Sequence, residues 1–182
     1  MDLTLVQKKI EKELKPKRIN QVEPSISNKD ILSVSNYLKS GGWITEHQIS
    51  REFEEKISTF ANRKYGIVVP NGTIALYLAL LALGVGPGVK VAVPNITMIA
   101  TINAIIWAGA TPVLVDVDET LCMSLKSLKK IKNLDAVIFV PLNGRAGSGK
   151  EIESWCKQNK LKLIEDSAHA LGSSYSHKKC GK

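Results

Sequence analysis

Several things are scarce in this chain. Only 5% of its 182 residues are aromatic, and no basic run alternates with rings as single-stranded nucleic-acid binders require. Cysteine is confined to Cys122, Cys156 and Cys180. An odd, widely spaced set builds no disulfide framework and suits a reducing, cytoplasmic setting. With 7 Pro and 13 Gly, a collagen-like chain is excluded. The longest apolar stretch, 99–115, is broken by Thr101, Asn103, Gly109 and Pro112. It falls short of the ~20 apolar residues of a membrane span. The first residues mix charge with Leu, Val and Ile and form no signal-peptide core. Acid is in deficit, 17 Asp+Glu against 25 Lys+Arg, for a net charge of +8. Such an excess can serve nucleic acid or an anionic membrane. Glu11 and Glu13, however, interrupt the leading basic group from Lys8 to Arg18, so a basic surface with neither partner is expected.

What is abundant is aliphatic. Hydrophobic residues make up 44%, mostly Ile, Leu, Val and Ala, the composition of buried parallel strands and their covering helices. Residues 1–23 read as a charged arm or helix, with Leu3, Val6, Ile10 and Leu14 at helical spacing and Pro16 limiting it. The remainder, 24–182, reads as one α/β region. Ser27 is placed to cap a helix over 29–38 that ends at Gly41-Gly42. A second helix fits 50–60, with Phe53, Ile57 and Phe60 on one face. Strands are then expected at 65–69, 90–93, 112–115, 136–140 and 161–164. Helices fit 74–83, 98–107, 124–131 and 149–158. This alternation predicts a three-layer α/β sandwich around a mostly parallel sheet. Ligands of such sheets sit beyond the carboxyl ends of the strands. Those ends carry Asn71-Gly72-Thr73, Pro94 to Met98, Asp116, Leu142-Asn143-Gly144 and Glu165-Asp166.

Three constellations could carry chemistry. Gly144-Arg-Ala-Gly-Ser-Gly-Lys150 has most of a Walker A spacing, but Glu151 stands where a Ser or Thr should hold magnesium. A Gly-rich turn with an exposed Lys150 is the preferred interpretation. Asn71-Gly72-Thr73 lies at a strand-to-helix junction, where free amides bind anions or simply receive a cap. Glu165-Asp166-Ser-Ala-His169 places two acids and a histidine beyond an apolar strand, either as a site or as a strand-end cap with a packed histidine. His177 and Cys180 complete no standard zinc spacing, so no metal is expected.

Taken together, these stretches resemble the DegT/DnrJ/EryC1/StrS family of pyridoxal-phosphate-dependent nucleotide-sugar aminotransferases. The resemblance runs from about Pro24 onward. It rests on LKSGGWIT (38–45), NGTIALYLALLAL (71–83), GPG (86–88), VPNITMIAT (93–101), AGATPVLVDVD (108–118) and EDSAHALG (165–172), in register. It implies the large domain of a fold-type I enzyme that uses pyridoxal 5'-phosphate. It further implies a nucleotide-sugar substrate, glutamate as amino donor and a homodimer when intact. By the same resemblance, Gly72 and Thr73 match the residues that bind the cofactor phosphate. Met98 stands where relatives stack an aromatic ring on the pyridine, and Asp166 matches the aspartate that pairs with the pyridine nitrogen. His169 matches a Gln or His beside the ring, and Asn143 replaces a Tyr. The Schiff-base lysine of the family lies beyond the point matching Gly181. None of Lys178, Lys179 or Lys182 stands in its context, so no catalytic residue is assigned and the chain alone is expected to be inactive. A dehydratase of the same family and a non-enzymatic binding or regulatory protein are the alternatives.

Overall fold

The computed structural model describes residues 23–45, 48–175 and 178–181. The arm or helix expected over 1–23 lies outside them save for Glu23. The chain divides into two compact units, 1–47 and 48–182.

In the first unit one helix, α1 (Asn28–Lys39), starts at Ser27, which takes the Asp30 amide on its side chain while its own amide is taken by the Asp30 carboxylate. This reciprocal cap satisfies two donors that the helix leaves orphaned. The bonds from Ser27 hold the Asp30 carboxyl below the usual carboxylate range. No residue of α1 is buried within the structure. The Tyr37 hydroxyl donates to the Trp43 carbonyl and ties down the segment after the helix.

The second unit carries the sheet. Its helices are α2 (Gln48–Phe60), α3 (Gly72–Ala82), α4 (Ile99–Trp107), α5 (Leu125–Leu128) and α6 (Gly149–Gln158). Its sheet strands are β1 (Lys90–Pro94), β2 (Thr111–Val115), β3 (Ala136–Phe139) and β4 (Lys162–Glu165), in the spatial order β2-β1-β3-β4 and all parallel. A two-stranded hairpin, β5 (Ser174–Tyr175) and β6 (Lys178–Lys179), follows. It is not among the elements expected above.

Strand alternation sorts the core into two layers, as a pleat of period two requires. Val91, Val93, Ala136, Ile138 and Ile164 face α3 and α4, packing on Leu76, Leu80, Ala104 and Ile105. Ala92, Val137 and Phe139 face the other way, onto Leu128, Ile152 and Cys156 of α5 and α6. Both faces are therefore covered, as expected for the three-layer arrangement. Each fully buried aliphatic side chain in these layers contributes about 1.5–3 kcal/mol.

One expected strand is not formed. Residues 65–69 are extended but join no ladder. Among the described residues no strand pairs with the outer edges of β2 and β4. Tyr65 and Ile67 are 73% and 80% exposed. The Val68 amide goes instead to Glu54 Oε1 at 2.8 Å, and α2 approaches so closely that a Cβ on Gly66 would lie 2.5 Å from the Glu54 carbonyl oxygen. Apolar periodicity correctly signals extended backbone; it carries no information about a pairing partner.

The Gly-rich turn before α6 is explained by packing. A Cβ on Gly147, at φ +47°, would lie 2.6 Å from Cys122 Cβ, and one on Gly149 would lie 2.9 Å from the Phe139 ring. The Gly149 amide already donates to the Ala146 carbonyl. These glycines let the turn close onto the core, and Lys150 is exposed.

Candidate functional site

The carboxyl ends of the strands gather most of the polar groups that the sequence singled out. Helix α3 runs back from that end toward the start of β1, and α4 runs back from the end of β1, so both N-termini open there on the same face. Asn71 caps α3, its Oδ1 accepting from the Ile74 amide at 3.0 Å and its carbonyl accepting from Ala75. The amides of Gly72 and Thr73 keep no partner among the described residues. A Cβ on Gly72 would meet nothing within 4 Å, and the backbone there is not in the left-handed region. Neither packing nor conformation therefore demands a glycine at this position. Its lack of a side chain keeps the helix end open to an anion. A cleft of about 270 Å³, lined by Phe53, Ile57, Ile67, Asn71 and Gly72 among others, adjoins it.

Met98 is the N-cap residue of α4, makes no side-chain cap bond, and is 64% exposed. Its carbonyl accepts from the Thr101 amide at 3.0 Å. The Thr101 hydroxyl in turn donates to Asp166 Oδ2 at 2.9 Å and lies 2.9 Å from the Thr97 hydroxyl. Thr101 is 0% exposed. Asp166 follows directly on β4, its amide held by the Phe139 carbonyl at 2.8 Å. Its second oxygen, Oδ1, has among the described residues only the Ala168 amide at 3.4 Å and keeps acceptor capacity in hand. The structure thus links Met98 to Asp166 through Thr101, and puts the open amides of Gly72 and Thr73 on the same end and face.

Three other groups fit this picture less closely. His169 is exposed on the loop after β4, with no side-chain hydrogen bond among the described residues. Asn143 turns the chain after β3 at φ 53°. Asn95 reaches sideways, its Nδ2 donating to Asp116 Oδ1 at 3.1 Å.

Glu165, next to Asp166, points to a different task. Its Oε1 accepts from the Gly181 amide and the Ser167 hydroxyl, each at 2.7 Å, and Oε2 lies 3.5 Å from the Tyr175 hydroxyl. Burial first, and the Glu165 charge second, push the Tyr175 phenol and the Cys180 thiol upward. This carboxylate ties the β5-β6 hairpin to the sheet. Among the described residues no group of three or more His, Cys, Asp or Glu could hold a metal ion, and no helix is long and apolar enough to cross a membrane.

Sequence reasoning missed Thr101 as a site residue. A signal was present: Thr97 and Thr101 are one helical turn apart, and Thr101 interrupts an otherwise apolar buried face of α4.

A profile of the DegT/DnrJ/EryC1/StrS aminotransferase family matches residues 24–182. The chain belongs to this family. Among its relatives, the GDP-perosamine synthase of Escherichia coli O157:H7 is 39% identical over 168 residues, which cover 91% of this chain and 46% of that protein. An aminotransferase from Psychrobacter cryohalolentis has a solved structure that superposes with a TM-score of 0.81 at 33% identity, covering 87% of this chain and 41% of that one. The Helicobacter pylori aminotransferase involved in pseudoaminic acid biosynthesis superposes at 0.82 with 27% identity, covering 90% and 45%. The chain therefore spans less than half the length of each. With the parallel sheet, these likenesses establish the fold-type I architecture that the family shares.

Proposed function

We propose that this chain carries the cofactor-holding part of a pyridoxal-5'-phosphate-dependent aminotransferase acting on a nucleotide-linked keto-sugar, with glutamate as amino donor and a homodimer as the intact enzyme. The observation that supports this most directly is the Asp166 carboxylate, anchored through Oδ2 and open at Oδ1, on the same end and face as the free amides of Gly72 and Thr73. The donor set suits the cofactor. Two amides and a hydroxyl at a helix N-terminus take a phosphate. A carboxylate takes a protonated ring nitrogen. An exposed thioether covers a ring face, through the favourable contact between sulfur and aromatic systems. Met98, Asp166, Gly72 and Thr73 are the residues we assign to these tasks, with His169 beside the ring.

When bound, the cofactor supplies an electron sink for chemistry at the amino-bearing carbon. Asp166 keeps the proton on the ring nitrogen, because its negative charge favours the charged form of the ring. Gly72 and Thr73 fix the phosphate end, so the ring is held from two sides. Lys178, Lys179 and Lys182 lack the sequence context of the family's Schiff-base lysine, so none of the three is assigned a covalent role.

Titrating the full chain with pyridoxal 5'-phosphate, followed by absorbance, tests this. Saturable binding is expected, weakened about tenfold or more in Asp166→Ala, the loss of one charge-assisted hydrogen bond. Equal affinity in that variant, or a stoichiometric borohydride-trapped adduct on a single lysine, contradicts the assignment.

A further inference from the structure

We infer that Thr101 is a positioning residue for the ring-nitrogen carboxylate, with Thr97 behind it; the inference rests on the cofactor assignment above. The buried faces of α3 and α4 are otherwise apolar, and Thr101 sits among them at 0% exposure. A hydroxyl buried there without a partner is costly. In a helix, threonine usually returns its hydroxyl to a carbonyl three or four residues back. Here the hydroxyl goes to Asp166, 65 residues away in sequence, although β3 lies between β1 and β4 in the sheet.

The direction of the protons follows from the groups involved. The carboxylate oxygen accepts, so the single hydroxyl proton of Thr101 is committed to Asp166. The 2.9 Å contact between the two threonines then has Thr97 as its donor. The result is a one-way chain from Thr97 through Thr101 to Asp166 Oδ2, each link strengthened by the next. The ladder bond from the Asp166 amide to Phe139 fixes the backbone, and the Thr101 hydroxyl fixes the side-chain rotation. Oδ1 is left as the oxygen with capacity for an incoming N–H.

A role of this kind depends on the ring nitrogen; a merely structural role does not. The test therefore pairs pyridoxamine 5'-phosphate with its carbocyclic analogue, in which CH replaces the ring nitrogen, titrated into the full chain. Thr101→Val should lower affinity for pyridoxamine 5'-phosphate about tenfold, the scale of misplacing one charge-assisted bond, and leave the analogue unchanged. Thr101→Ser should restore the first affinity, and Thr97→Val should give a smaller loss of the same selectivity. Equal losses for both ligands, or none, overturn the inference.

A ligand-free arm separates this from the cofactor assignment. Side-chain couplings of Asp166 measured by NMR should report one rotamer in the parent and in Thr101→Ser, and averaging in Thr101→Val. If the parent binds neither ligand, the cofactor assignment fails while this arm still decides whether Thr101 positions the carboxylate. A single retained rotamer in Thr101→Val refutes it.

Discussion

Glu165 and Asp166 are neighbours at the end of one strand, yet they serve different regions of the molecule. Glu165 is saturated from within: a backbone amide, a serine hydroxyl and a tyrosine hydroxyl converge on it and hold the hairpin. Asp166 has one strong partner, Thr101, and an oxygen left open toward the ends of the strands. The same functional group is structural on one side of the strand and available on the other, and the number of partners already engaged decides which. Alternation of side chains along the strand sends the two carboxylates to opposite sides.

The comparison can be broken first by exchanging the roles. Glu165→Ala removes an acceptor from three donors and should cost about 2–4 kcal/mol of stability, read from denaturant unfolding, with little change in cofactor affinity. Asp166→Asn, which keeps an acceptor for the Thr101 hydroxyl, should do the reverse, with unfolding nearly unchanged and cofactor binding weakened. Parallel losses of stability in both variants would erase the distinction. Next in size is Gly72→Ala. Because its Cβ meets nothing, stability should hold or rise by about 0.4–1 kcal/mol, while phosphate-dependent binding falls; unchanged binding would remove the helix end from the site.

The Glu165 side also carries a pH signature. Burial pushes the Cys156 thiol up to about 11 from the ordinary thiol value of 9.0, and the Tyr175 phenol and Cys180 thiol move the same way. A raised folded value means that the native state holds its proton longer than the unfolded chain. The stabilisation is complete below about pH 9 and is lost as pH rises through 11. Thermal melts between pH 8 and 11 should show this decline, shallower in Cys156→Ala; a flat profile would contradict it. The smallest effect is expected at Met98, where a Phe should tighten cofactor binding about 2–10-fold through ring stacking, read by the same titration. Weaker binding would argue against a ring lying there.

Much of this architecture is legible in the sequence because local signals and global fold agree. The α6 helix runs from Gly149 to Gln158 as expected, and Ser27 caps α1 as expected, with Asp30 completing a reciprocal cap. The helix expected over 124–131 is cut to Leu125–Leu128, and the larger failures are non-local. Residues 65–69 have strand composition, but whether a neighbour pairs with them is not written in their own side chains. The β5-β6 hairpin is two residues per strand and depends on Glu165 reaching Gly181. For the site, the strand-end rule finds Gly72 and Asp166, while the hydroxyl that holds Asp166 lies 65 residues earlier. Strand alternation separates Glu165 from Asp166; the partners that each meets on its side are not written along the chain.

The central claim is that one small ring is gripped at both ends, by the amides of Gly72 and Thr73 and by Asp166 Oδ1. A crystal structure of the full chain with pyridoxamine 5'-phosphate measures this directly. The phosphate should lie on the two amides and the ring nitrogen within hydrogen-bonding distance of Asp166. A ligand bound elsewhere, or one that reaches only a single end, would contradict the account.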